Sequence, residues 1–134
     1  MTTGNQLILV RHGASEWSSL GCYQGHLPVP LSPLGLEQVC ALTEELHQYN
    51  PERIVSSDLQ RARQTAEIIA RHFMLEVHLD MRLRELDCGN WAGLTEQEIE
   101  ALEPKAVVEL RAGRDLPRGG GETMADVIMR IHAA

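Results

Sequence analysis

Arg11-His12-Gly13 follows the short apolar run Gln6-Leu7-Ile8-Leu9-Val10, and Ser56-Ser57-Asp58 with Arg61 closes a second run that begins at Arg53-Ile54-Val55. Arg11, Arg61 and His12 are a set suited to capturing a phosphoryl group, because each guanidinium offers phosphoryl oxygens a planar fork of donors. An imidazole nitrogen beside a bound, charge-neutralised phosphorus can act as a nucleophile, splitting hydrolysis into two easier steps through a covalent intermediate. The leaving alkoxide then needs a proton. Arg82-Leu83-Arg84-Glu85-Leu86-Asp87 offers Glu85, where burial is expected to raise the carboxyl pKa toward use as a general acid.

These residues need a scaffold that brings strand ends together. Gln6–Val10 reads as a strand buried on both faces, Arg53–Ser57 as a second strand, and the alternating Leu75–Leu79 as a third. Ser32-Pro33 reads as an N-cap with proline at the first helical position, and Leu36, Val39, Leu42 and Leu46 continue the helix until Asn50-Pro51. Asp58 is expected to begin a helix with the stripe Leu59, Ala62, Ala66, Ile69 and Phe73. Arg61 lies about 200° around that helix from Leu59, at roughly 3.6 residues per turn, so it points away from the stripe and into the first turn, where the dipole favours anions.

Thr95-Glu96-Gln97-Glu98 is a capping-box pattern, Pro104 can open another helix, and Met124, Val127, Ile128 and Ile131 form a closing amphipathic one. Gly119-Gly120-Gly121 fits a helix-opening turn before Thr123, since no nucleotide loop of the GxxxxGK[ST] kind is present. Ala14 to Leu31 has no period and reads as a long functional loop. Strands alternating with helices predict a single α/β domain over residues 1–134. Its expected form is a three-layer α/β/α sandwich with a mainly parallel sheet and a site at the carboxyl ends of its strands.

Together, Leu9-Val10-Arg11-His12-Gly13, Ser56-Ser57-Asp58-Leu59-Gln60-Arg61-Ala62-Arg63-Gln64-Thr65-Ala66, Arg84-Glu85-Leu86-Asp87-Cys88-Gly89-Asn90-Trp91-Ala92-Gly93 and Gly120-Gly121-Glu122-Thr123 resemble successive signatures of the histidine phosphatase superfamily, the phosphoglycerate-mutase-like proteins. The resemblance runs from Leu7 to Ile131. It implies His12 as the phosphorylated nucleophile, Arg11 and Arg61 as phosphoryl ligands, and Glu85 as proton donor. It also implies that Gln24-Gly25 borders the pocket, with Ser18 at a substrate position where the family often carries Asn. Ala14 and Pro28 depart from the Glu-like and Asp residues common there.

In the family a further strand follows the final helix and ends in a second histidine; His26, His47, His72, His78 and His132 do not fit that setting. The resemblance therefore implies a chain cut short, with a strand missing from its sheet, and self-association through the incomplete sheet is expected. The implied activity is a phosphomonoesterase acting on a small phosphorylated metabolite without metal or other cofactor. The alternatives are mutase-type phosphoryl transfer and a non-catalytic phosphate-binding fragment. The short interval from Glu85 to Glu122, with Lys105, Arg111, Arg114 and Arg118 as its basic residues, favours the phosphatase.

Composition bounds the partners. Across 134 residues, 12 Lys plus Arg stand against 19 Asp plus Glu, a net charge of −7, which argues against a nucleic-acid surface and leaves room only for a local basic pocket. No apolar stretch approaches a membrane span of roughly 18 residues or more, and Met1 to Gln6 does not read as a signal peptide, so a cytoplasmic protein is expected. Cys22, Cys40 and Cys88 have neither disulfide nor zinc-ligand spacing.

Overall fold

A computed structural model describes residues 6–134, and the signal-peptide reading of Met1 to Asn5 lies outside them. Helix α1 (Pro33–Leu46) starts at its expected cap, where Ser32 Oγ accepts the Gly35 amide at 3.1 Å and Pro33 occupies the first turn. It is followed by strand β1 (Ile54–Ser56), helix α2 (Gln60–Phe73), strand β2 (Val77–Leu79), and helices α3 (Glu96–Leu102), α4 (Pro104–Arg111) and α5 (Met124–His132). β1 and β2 pair in parallel, Ile54 opposite Val77 and Ser56 opposite Leu79, with α2 as their crossover. The class is α/β with a parallel sheet, as the alternation of elements demands.

Two apolar clusters organise the chain. Leu31, Val39, Leu46 and Ile69 are buried between α1 and α2, with Ile8, Ile54 and Phe73 packed against them. Cys88, Trp91, Ile99 and Val107 form the second, under α3 and α4. Thr95 and Thr123 each close a capping box, with Glu98 and Asp126, so α3 and α5 begin where the pattern places them.

Four local expectations are corrected. Gln6–Val10 forms no strand. Leu7 and Leu9 are 83% and 87% exposed while Ile8 packs inward, because among the described residues no neighbouring strand pairs with this run or covers its outer face. Asp58 does not begin α2; its carboxylate is taken by Arg84, and Leu59 stands at the cap without a side-chain hydrogen bond. Leu36 is exposed, whereas the neighbouring Gly35 is buried so tightly that an added Cβ would sit 2.0 Å from the Ala14 carbonyl oxygen. On α5, Val127 is buried, but Met124, Ile128 and Ile131 are exposed.

Candidate active site

Thr65, buried one turn beyond Arg61, accepts the Gly13 amide at 3.2 Å and donates to the Arg61 carbonyl at 2.9 Å. This pins the Arg11-His12-Gly13 segment against the start of α2. His12 Nδ1 lies 2.7 Å from the Gly13 carbonyl oxygen, so Nδ1 carries the proton. Nε2 is then the lone-pair nitrogen, and it accepts from Arg61 Nε at 3.3 Å. Burial lowers the imidazole pKa and the neighbouring Arg61 and Arg11 lower it further, against upward pulls from the Gly13 carbonyl and Glu85. The ring is thus held neutral, with its lone-pair nitrogen directed at the guanidinium.

Arg61 is 2% exposed. Its remaining donors reach backbone carbonyls, Nη2 to Gly25 at 2.9 Å and Nη1 to Leu27 at 3.4 Å. Among the described residues no carboxylate forms a salt bridge with it, although the other buried or half-buried arginines, Arg84, Arg118 and Arg130, all have one. Burial draws its pKa down, but a guanidinium keeps its proton in any protein setting. A buried cation without a carboxylate partner among the described residues is costly, and an anion in the adjoining space would offset that cost.

That space is a cavity of about 350 Å³, lined by Arg11, His12, Ser18, Gln24, Gly25, Arg61 and Glu85 among others. Every site residue read from the sequence thus faces one pocket. The loop that carries three of them is ordered through Ser15, whose amide donates to Ser18 Oγ at 2.9 Å and whose hydroxyl donates to Gln24 Oε1 at 2.8 Å. Gly25 is obligatory on two counts: φ is +47°, and an added Cβ would lie 2.5 Å from Cys88 Sγ.

Glu85 departs from expectation. Its side chain is exposed at the pocket, with Oε1 accepting the Leu86 amide at 2.8 Å, so the burial expected to tune it is not there. Its placement comes from the backbone. The Glu85 carbonyl accepts from His26 Nε2 at 2.7 Å and from Arg130 Nη2 at 3.0 Å, and Arg130 Nη1 also donates to the Arg82 carbonyl at 2.6 Å. Glu122 holds Arg130 Nε at 2.7 Å and accepts the Asp87 amide at 2.9 Å. Arg84 grips Asp58 with both arms, Nε to Oδ1 at 2.6 Å, and its donors keep that carboxyl below its ordinary range.

The sequence reading missed Ser15, whose role lies in one side chain's reach within an aperiodic loop. Arg118 and Met124 also line the pocket, brought there by the turn at Gly119-Gly120-Gly121. Gly119 has φ +54°, and a Cβ on it would come within 2.5 Å of the Cys88 carbonyl oxygen, so the glycine run lets two backbones lie against each other. A run of glycines two residues before a capping box is a signal that could have placed Arg118 near the site.

The α/β scaffold thus presents an imidazole, a buried guanidinium and a carboxyl to one cavity, groups with the chemistry to bind a phosphoryl group. The family model of the histidine phosphatase superfamily (branch 1) matches residues 7–134, and the chain belongs to that superfamily. It is 39% identical over 125 residues to a glucosyl-3-phosphoglycerate phosphatase of Mycolicibacterium vanbaalenii, covering 93% of this chain and 56% of that one. It is 38% identical to a probable phosphoglycerate mutase of Salmonella paratyphi A, covering 96% and 60%. Among solved structures, the mycobacterial glucosyl-3-phosphoglycerate phosphatase in complex with VO3 superposes with a TM-score of 0.82 at 39% identity, covering 89% of this chain and 59% of that one. The chain therefore spans somewhat more than half the length of these relatives.

Proposed function

We propose that this chain carries the phosphoryl-binding and nucleophilic part of a phosphomonoesterase acting on a small phosphorylated metabolite. The observation that carries the reading is Arg61, a buried cation without a carboxylate partner among the described residues, whose Nε touches the lone-pair nitrogen of His12. A dianionic phosphate between Arg11 and Arg61 satisfies that charge and sets phosphorus before His12 Nε2. Nε2 attacks phosphorus, the ester P–O bond breaks, and the departing alkoxide takes the proton of the Glu85 carboxyl. The Glu85 carboxylate then accepts a proton from water as its oxygen attacks phosphorus. The P–N bond breaks, restoring neutral His12 and releasing phosphate. Every bond in this sequence is made or broken by groups of the chain and water.

A cavity of about 350 Å³ falls in the roughly 300–1,000 Å³ range of small-molecule sites, which supports a small ester, and similarity to glucosyl-3-phosphoglycerate phosphatases points to sugar or glycerate phosphates. Mutase-type transfer is the second reading, favoured by the 38% identity to a probable phosphoglycerate mutase. Against it, Arg118, which also lines the cavity, has its charge matched by Asp115 at 2.6 Å. Turnover of p-nitrophenyl phosphate, inhibited by vanadate and abolished in His12→Ala, is the expected result. The trapped phosphoenzyme should be acid-labile and base-stable, as a phosphoramidate is. Phosphate binding without turnover would reduce the chain to a binding fragment, and isomerisation of phosphoglycerates would favour the mutase.

Two finer readings accompany this one. Copies of the chain associate through the side of the sheet where Leu7, Leu9 and Val55 are exposed beside the cluster that Ile8 and Ile54 join. Sedimentation should show a dimer that Leu9→Lys dissociates, and a concentration-independent monomer contradicts it. The protein works in the cytoplasm, which free thiols at Cys22, Cys40 and Cys88 support. Among the described residues no helix is long and apolar enough to cross a membrane.

A further inference from the structure

At the far ends of α1 and α2 from the pocket, His47 and His72 turn their imidazoles toward each other, with Nε2 to Nε2 at 2.5 Å. Glu44, one turn before His47 on the same helical face, brings its carboxylate beside them, and the three ligand atoms all lie within 4.8 Å of one another. Phe73 packs against both rings at centroid distances of 5.1 Å, so the imidazoles are buttressed rather than loose on the surface. The phosphoryl chemistry uses none of these residues.

We propose that Glu44, His47 and His72 form a binding site for one divalent transition-metal ion of the zinc class. Two imidazole nitrogens and one carboxylate oxygen make a donor set that such ions take, leaving a fourth position for water. Metal–nitrogen bonds of about 2.0–2.1 Å place two ligand atoms of a tetrahedral ion roughly 3.3 Å apart, so the histidine pair opens by less than ~1 Å and Glu44 closes in. All three side chains are exposed and can make that adjustment. No CxxC or HxxxH spacing marks the site in the sequence, because its ligands come from two helices and His47 and His72 stand 25 positions apart.

The site is structural. His72 follows Arg61 by eleven residues along α2, about 16 Å of helix rise, which keeps the ion away from the phosphate pocket. An ion held there clips the C-terminal end of α1 to that of α2, beside the buried Leu46 and Ile69. Because the ligands converge only in the folded chain, the ion stabilises the fold by mass action.

The test is calorimetric titration of the chain with Zn²⁺, together with Co²⁺ absorption spectra and melting curves. One ion per chain, a tetrahedral Co²⁺ spectrum without a thiolate charge-transfer band, and a melting midpoint that rises with Zn²⁺ are expected. Binding should be weakened in Glu44→Gln and lost in the His47→Gln/His72→Gln double variant, while vanadate binding at the pocket is unchanged. Failure to bind at millimolar Zn²⁺ overturns the proposal, as does binding undiminished in the double variant, which would leave the two histidines as a plain hydrogen-bonded pair.

Discussion

On one wall of the pocket, Arg61 and His12 are positioned by packing: Arg61 is buried, bonded to the Gly25 and Leu27 carbonyls, and braced by Thr65. On the other, Glu85 is exposed and is positioned through its carbonyl, which His26 and Arg130 hold from outside. The first wall is preorganised for charge before any ligand arrives, since moving Arg61 would break three hydrogen bonds at once. The second holds the Glu85 backbone while its exposed carboxyl makes only a local bond to the Leu86 amide. Under the proposed phosphomonoesterase reading, one phosphoryl group is gripped in every cycle while the leaving groups differ, and that division suits both tasks.

The largest test strikes the packed wall. Arg61→Met should lower kcat/KM about 10³-fold, ~4 kcal/mol of transition-state stabilisation, and abolish the rise in melting midpoint produced by phosphate. Stability without phosphate should change little, because the variant removes an unpaired buried charge while orphaning two carbonyls. A variant that loses activity only by unfolding would show that Arg61 is a structural cation and dissolve the contrast between the walls.

The exposed wall should respond to the leaving group instead. Glu85→Gln is expected to slow alkyl phosphates about 10²–10³-fold yet p-nitrophenyl phosphate less than ~10-fold, because nitrophenolate departs without a proton. Equal losses with both substrates would mean that Glu85 acts on the phosphoryl group and not on the ester oxygen. Arg130→Ala, which releases the Glu85 carbonyl without touching the cavity, should reproduce the same ordering more weakly.

This contrast also marks what could be read from the sequence. Arg61 was legible as a first-turn residue of the helix that follows β1, although the 200° relation to Leu59 does not apply, because Leu59 is the extended cap outside that helix and Arg61 is itself buried. The capping residues Ser32, Thr95 and Thr123 were equally legible because their partners lie three residues away. What failed depends on distant neighbours. Gln6–Val10 looked like a buried strand because apolar runs do, but a strand exists only beside another, and among the described residues the sheet pairs β1 with β2. Glu85 was expected to be buried. Its exposure and its tie to His26, 59 positions away, are set by how the loop folds back, which local pattern does not encode.

Between the walls, Gly25 meets Cys88, and here the contrast predicts a stability effect. Gly25→Ala should destabilise by about 2–3 kcal/mol, combining a left-handed backbone with a methyl group 2.5 Å from Cys88 Sγ. In a Cys88→Ala background the same change should cost less, ~1–2 kcal/mol, because the clash with Sγ is relieved while the left-handed backbone and the Cys88 amide nitrogen at 3.2 Å remain. Equal costs in both backgrounds would mean that the walls do not press on each other at this point.

The smallest expected effect concerns the proton on His12. In the packed wall, burial and then the charges of Arg61 and Arg11 lower its pKa, so the ring stays neutral at pH values below the ordinary imidazole value of 6.5. Removing a positive neighbour without altering burial must move the titration upward. Arg11→Gln, at an exposed position, is suited to this, and the upward shift should be small, since burial is the larger cause. Nitrogen-15 spectra of the imidazole read both claims at once, with a protonated Nδ1 and a bare Nε2 at neutral pH and the same titration displaced upward in the variant. A neutral His12 protonated at Nε2 would place the lone pair on the wrong nitrogen for the proposed attack, and a titration displaced downward in Arg11→Gln would mean that Arg11 does not hold the imidazole pKa down.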